Sequence, residues 1–286
     1  MSMKVCLSAF ADEAAQDFSG QIAALKEERI PYIELRGLDG KNVSEITFDE
    51  AKRYKEMLDE GGISVWSVGS PLGKIGVRDD FAEHLKKAEH IFRLAGIFGT
   101  QKVRVFSFYT GEPEKDEAEV FSRMRRLVAL AEDCGAVLYH ENEKKIYGDT
   151  AKRCVKLLDA VQGLRCVFDP ANFVQCGENV EAALGLLQSR VGYYHVKDAL
   201  ADGTVVPAGE GVGYLSRMVA GIRGDTVLTL EPHLAVFEGY AAIDRTELKN
   251  KYVFDSPRAA FGAAAKALRK ILEENSFLEE NGKWIK

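Results

Sequence analysis

The sequence predicts an α/β fold, a (β/α)8 TIM barrel in a single domain over residues 1–286. Three observations carry that expectation. β-rich runs alternate strictly with amphipathic helical patterns, and eight such units are the number that closes a parallel barrel. A length of 286 residues exceeds the common domain of about 100–200 but suits barrels of about 250 residues folded as one unit. The first strand is followed by Ser8-Ala-Phe-Ala-Asp-Glu, whereas a doubly wound open sheet more often carries a glycine-rich turn there.

The pattern predicts strands over Lys4–Phe10, Tyr32–Arg36, Ile63–Val68, Lys102–Phe108, Ala136–Glu141, Arg165–Asp169, Tyr193–Lys197 and Thr226–Glu231. Helices are expected over Asp12–Glu28, Thr47–Glu60, Asp80–Phe98, Glu114–Asp133, Asp149–Val161, Val180–Ser189, Gly213–Ile222 and Ser256–Asn275. Ile91, Leu94, Ala95 and Phe98 recur at helical spacing and make one apolar stripe. Leu127, Leu130, Ala131 and Cys134 do the same, with Gly135 as a C-terminal stop. Asp149 and Ser256 stand where N-caps belong, and Pro257 suits a first helical position. The longest irregular segment, 233–255, follows the last strand and is expected to lie over the mouth as a lid, where a second copy of the chain could also meet it.

Composition excludes several classes. A formal net charge of −6 argues against a nucleic-acid partner, which favours a basic face. No apolar stretch approaches the roughly 20 residues of a membrane span. Five cysteines without a CxxC pair, together with a start that runs straight into a strand, point to reduced thiols and a cytoplasmic setting.

The last four strands end alike: Val137-Leu-Tyr-His-Glu141, Cys166-Val-Phe-Asp169, Tyr193-Tyr-His195 and Val227-Leu-Thr-Leu-Glu231. An ionised group at the end of a buried barrel strand is costly unless it is paired or bound to metal. Active sites of this fold lie at those ends. Glu141, Asp169, His195 and Glu231 converging there would repel one another without a cation. The oxygen-rich set suits Mn²⁺ foremost, with Mg²⁺, Co²⁺ or Zn²⁺ as alternatives.

The segments His140-Glu-Asn-Glu, Phe168-Asp-Pro-Ala-Asn-Phe, His195-Val-Lys-Asp-Ala and Leu230-Glu-Pro-His resemble the xylose isomerase-like barrel superfamily. That group includes sugar isomerases, ketose 3-epimerases, inosose dehydratases and an apurinic endonuclease. The resemblance implies one divalent metal held by Glu141, Asp169, His195 and Glu231. It also implies Glu141 and Glu231 as an acid/base pair acting on a small carbohydrate, a sugar, sugar phosphate or polyol. Proton return to the opposite face would epimerise, return to the adjacent carbon would isomerise, and loss of a β-hydroxyl would make the protein a lyase. Asn172 replaces a histidine common in the epimerases and the endonuclease, and five histidines in all are few for a multi-zinc nuclease.

Further substrate contacts are expected from Glu143, Lys197 and His233, each two residues beyond a ligand on the same side of a strand. Asn172, Glu34, Arg36 and Arg104 join them. An exposed Glu34–Arg36 salt bridge is the alternative for that pair, and a buried Arg104 calls for Glu34 or Glu141 as partner. Trp66 reads as core. Lys74 is expected to be solvated rather than on an anionic group, and His84 and His90 to be surface groups. Gly209-Glu-Gly-Val-Gly213 lacks the context of a dinucleotide fingerprint, but its N–H groups are free to hold a phosphate or carboxylate.

Overall fold

The computed structural model describes residues 3–235 and 252–286. Eight parallel strands form its centre: β1 Lys4–Ala9, β2 Tyr32–Leu35, β3 Ser64–Gly69, β4 Lys102–Val105, β5 Val137–Glu141, β6 Arg165–Phe168, β7 Val191–Val196 and β8 Thr226–Leu230. Each pairs with the next, and β8 returns to β1 through Leu7 opposite Leu228 and Ala9 opposite Leu230, so the barrel is closed. Closure removes sheet edges and leaves two ends, of which the C-terminal one carries loops free to vary.

Helices α1 Phe18–Glu27, α2 Phe48–Gly61, α3 Phe81–Ile97, α4 Pro113–Asp133, α5 Ala151–Ala160, α6 Pro170–Gln175, α7 Val180–Leu187, α8 Leu215–Ala220 and α9 Pro257–Glu274 surround it. Their starts are fixed locally. Thr47 and Glu50 form a capping box on α2, and Ser256 accepts from the amide of Ala259 with Pro257 at the first position of α9. The large core lies between strands and helices and includes the expected stripe of Ile91, Leu94, Ala95 and Phe98. A smaller cluster of Tyr139, Val167, Tyr193 and Val227, with Trp66 against it, fills the barrel interior. Trp66 is therefore core, as its sequence suggests.

Several expectations shift. The first helix begins at Phe18, after a 3-10 turn over Ala11–Glu13. β4 ends at Val105, because the amides of Phe106 and Phe108 bond to the carbonyls of Leu72 and Gly73 in the preceding loop. Thr150, not Asp149, caps α5, and Asp149 instead pairs with Arg153. The short α6 and a terminal hairpin, Leu278–Glu280 with Lys283–Ile285, had no periodic signal. The hairpin lies antiparallel on β1, with Trp284 opposite Val5. His84 is buried rather than on the surface, its Nε2 accepting from the amide of Gly73 at 3.0 Å. The expected lid at 233–255 lies, over 236–251, outside the described residues. Among the described residues no helix is long and apolar enough to cross a membrane.

Candidate metal centre

Alternation along the strands decides which side chains enter the barrel. Tyr193, His195 and Lys197 share one side of β7 and its extension, with Tyr193 below in the interior cluster and the other two above it. The same rule brings Glu141, Asp169 and Glu231 inward from β5, β6 and β8. Each of these three carboxylates and His195 offers one ligand atom, and the four atoms lie within 4.8 Å of one another. All four residues are buried.

His195 is the hub. Its Nδ1 stands 3.1 Å from Oε1 of Glu141 and 3.3 Å from Oε2 of Glu231. That buried nitrogen has no hydrogen-bond partner among the described residues. Its other nitrogen, Nε2, lies 3.3 Å from Oε2 of Glu34. Glu34 is anchored in turn by the Tyr193 hydroxyl, which donates to its Oε1 at 2.9 Å. A carboxylate behind a histidine directs the opposite lone pair forward, an arrangement that recurs around metal ligands. Glu34 thus backs His195 rather than reaching the open mouth or forming an exposed pair with Arg36.

The two glutamates are held alike. Oε2 of Glu141 accepts from Nη1 of Arg104 at 3.0 Å, and Oε1 of Glu231 accepts from Nη1 of Arg36 at 2.9 Å. Each carboxylate keeps its second oxygen towards His195. Burial would raise Glu141, but His195 and Arg104 outweigh it and hold its carboxyl below the usual range. Burial is likewise outweighed at Glu231, by Lys197 first. Asp169 goes the other way: burial pushes it up to about 7 against the pull of Lys197. The Lys197 ammonium sits 3.0 Å from Oδ2 of Asp169 and 3.4 Å from Oε2 of Glu231.

Asn172 donates through Nδ2 to Oε1 of Glu141 at 3.1 Å, while its own amide donates to Oδ1 of Asp169 at 2.9 Å. The second bond is the N-cap of α6, so Asp169 ends a strand and starts a helix at once. His233 has a positive φ of 46°. Its amide donates to Glu13 at 2.7 Å, and its Nε2 lies 3.5 Å from Oε1 of Glu231. Glu143 lies at the rim, 3.3 Å from the Lys74 ammonium. Lys74 is therefore paired and half-buried rather than solvated.

Four contributors lie outside the expected set. Asp12 and Glu13 grip Arg36 at 2.9 and 3.1 Å. Both lie in the 3-10 turn Ala11–Glu13 after the first strand, where the sequence pattern read the start of a helix. Asn142 ties β5 to β6 by two bonds with the Asp169 backbone at 2.8 and 2.9 Å. Asp198 answers the glycine loop: the amides of Gly209, Gly211 and Gly213 donate to its carboxylate at 2.8, 3.0 and 2.9 Å. The anion held there is the protein's own, which corrects the expectation of free amides for a substrate phosphate or carboxylate.

The donor set fits a cation. A buried imidazole nitrogen facing two carboxylates, with a third carboxylate in the same cluster, is what a divalent ion would satisfy, and oxygen with one nitrogen suits several first-row metals and Mg²⁺. Fold and site together define a barrel with a buried carboxylate–histidine cluster able to hold a metal at its C-terminal mouth. The chain belongs to the xylose isomerase-like TIM barrel family, whose model matches residues 22–273.

Solved structures share the fold. The probable 3-DHS dehydratase AsbF from Bacillus anthracis, involved in petrobactin synthesis, is 20% identical with a TM-score of 0.72, over 93% of this chain and 99% of its own. D-allulose 3-epimerase from Methylomonas sp., solved in complex with D-allulose, is 15% identical with a TM-score of 0.72, over 95% and 97%. The IOLI protein, solved with a zinc atom, is 16% identical with a TM-score of 0.71, over 96% and 99%. No curated protein matches the chain by sequence.

Proposed function

We propose that this protein is a divalent-metal-dependent isomerase or epimerase of a small sugar or polyol, working by proton transfer through an enediolate. One observation carries the proposal. Two glutamates approach the same imidazole nitrogen to 3.1 and 3.3 Å, and each is braced by its own arginine. A metal bound by Glu141, Asp169, His195 and Glu231 would polarise a substrate carbonyl and stabilise the enediolate. Glu141 and Glu231 would serve as the acid/base pair, one taking the proton beside the carbonyl and the other returning it. Arg104 and Arg36 fix the orientation of those carboxylates. Lys197 and His233 stand beside Glu231 and would bond substrate hydroxyls. The family membership and the epimerase among the similar structures agree with this reading.

A dehydratase is the second reading, and Lys197 favours it. Its buried ammonium, 3.4 Å from Glu231, would stabilise a departing β-hydroxyl by charge and hydrogen bonding, and a dehydratase is among the similar structures.

Incubation of Mn²⁺- or Mg²⁺-loaded protein with ketoses and keto-inositols in D₂O tests both. Metal-dependent deuterium uptake beside the carbonyl should appear by NMR, and the product distinguishes the two. Glu141→Gln and Glu231→Gln should each slow uptake by roughly 10²–10⁴-fold, the usual contribution of a general base. Uptake that is unchanged in both variants would sink the acid/base assignment.

A further inference from the structure

A recess opens on the β2–β4 side of the mouth, lined by Arg36, Asn42, Lys74, Arg104 and Phe106, with no carboxylate among its described lining residues. Three cations therefore share one wall, each already facing carboxylates from behind: Arg36 faces Asp12, Glu13 and Glu231, Lys74 faces Glu143, and Arg104 faces Glu141. Arg104 is 3% exposed, yet its Nε has no hydrogen-bond partner among the described residues. A buried N–H left unpaired costs about 1–3 kcal/mol, so this guanidinium retains hydrogen-bonding capacity that Glu141 does not use. Gly69 makes the space: a Cβ there would lie 2.6 Å from the Phe10 ring and 3.1 Å from Nη2 of Arg104. Phe106 supports the cations from one side, with the Arg104 guanidinium 4.4 Å and the Lys74 ammonium 4.3 Å from its ring centre.

We propose that this recess binds a carboxylate of the substrate, so that the preferred substrate is a keto-sugar acid rather than a neutral ketose. The inference rests on the sugar reading above and narrows it. A guanidinium has five N–H donors, so Arg104 can hold Glu141 through Nη1 and still present others to a ligand. Its planar fork matches a carboxylate, and Lys74 adds a point charge. The recess is narrow, with room for roughly one or two water-sized groups. That suits the two oxygens of a carboxylate better than a phosphoryl group. Because Arg104 also touches Glu141 and Arg36 touches Glu231, an anion anchored here would sit beside both proton-transferring groups.

The test compares substrates that differ only in this group: D-fructuronate with D-fructose, and D-tagaturonate with D-tagatose. Calorimetric titration of Mn²⁺-loaded protein should show the acids binding at least about tenfold more tightly, the lower end for a charge-assisted bond. Lys74→Gln, whose side chain touches none of the four cluster residues, should remove most of that preference while Mn²⁺ affinity stays unchanged. Arg104→Lys, which keeps the charge but not the fork, should also reduce it. Equal binding of acid and ketose, with Lys74→Gln silent, overturns the inference and leaves the sugar reading standing. A clear acid preference without deuterium exchange overturns the isomerase reading and keeps the recess. Failure of all four compounds to bind overturns both.

Discussion

At the scale of single residues, the centre depends on groups that stand behind the four clustered side chains. Glu34 is buried, bonded to Tyr193 on one side and His195 on the other. It faces Nε2 of the imidazole and so turns Nδ1 towards Glu141 and Glu231. Glu34→Gln should lower Mn²⁺ affinity by about 10–100-fold, the usual effect of losing a carboxylate behind a metal-binding histidine. Titration of the metal with circular dichroism as a control for folding checks it. Unchanged affinity would mean that packing alone orients the ring. Asn172 acts here as a brace on Glu141 and as a partner of the Asp169 cap.

Elements are tied to the mouth by a few buried polar anchors. Asp198 gathers three amides of the loop leading to α8. Gly213 is required at this approach because a Cβ there would lie 2.6 Å from the Asp198 carboxylate. Asp198→Ala would orphan those donors and should destabilise the fold by about 3–5 kcal/mol, read from urea unfolding. On the other side, His84 of α3 holds the β3–α3 loop through Gly73. Burial pushes its pKa from 6.5 down to about 4. The unfolded chain therefore binds a proton below pH 6.5 that the fold rejects. The contribution of His84 to stability is complete above that pH, falls as pH drops from 6.5 towards 4, and levels off below. The loss is on the order of 3 kcal/mol. His84→Gln should flatten that limb of the Tm-against-pH curve, and a curve identical to wild type would assign the acid sensitivity elsewhere.

At the scale of the molecule, the barrel joins residues distant in sequence into one charged chamber. Clustered carboxylates repel, so a bound cation should stabilise the whole fold. Metal at about 100 times its Kd should add roughly 2.7 kcal/mol. For a chain of this size that is on the order of 5–10 °C in Tm. Melting with excess Mn²⁺ against the same protein in chelator measures it. A Tm insensitive to chelator would show that Lys197 and the arginines balance the cluster unaided.

The sequence by itself determined the strands and the residues that end them. Periodicity two, strand-ending carboxylates and helical stripes are local signals, written within a dozen neighbouring positions. The convergence of Glu141, Asp169, His195 and Glu231 follows from them once eight strands close. Tertiary structure alone decided the partners. Arg104 had Glu34 or Glu141 open to it and took Glu141. Glu34 turned to His195, 161 residues away, and the glycine loop folded its amides onto Asp198. These choices depend on strand register and on which loops share a rim. Hydrogen bonds form between atoms about 3 Å apart, and that proximity exists only after the barrel has closed.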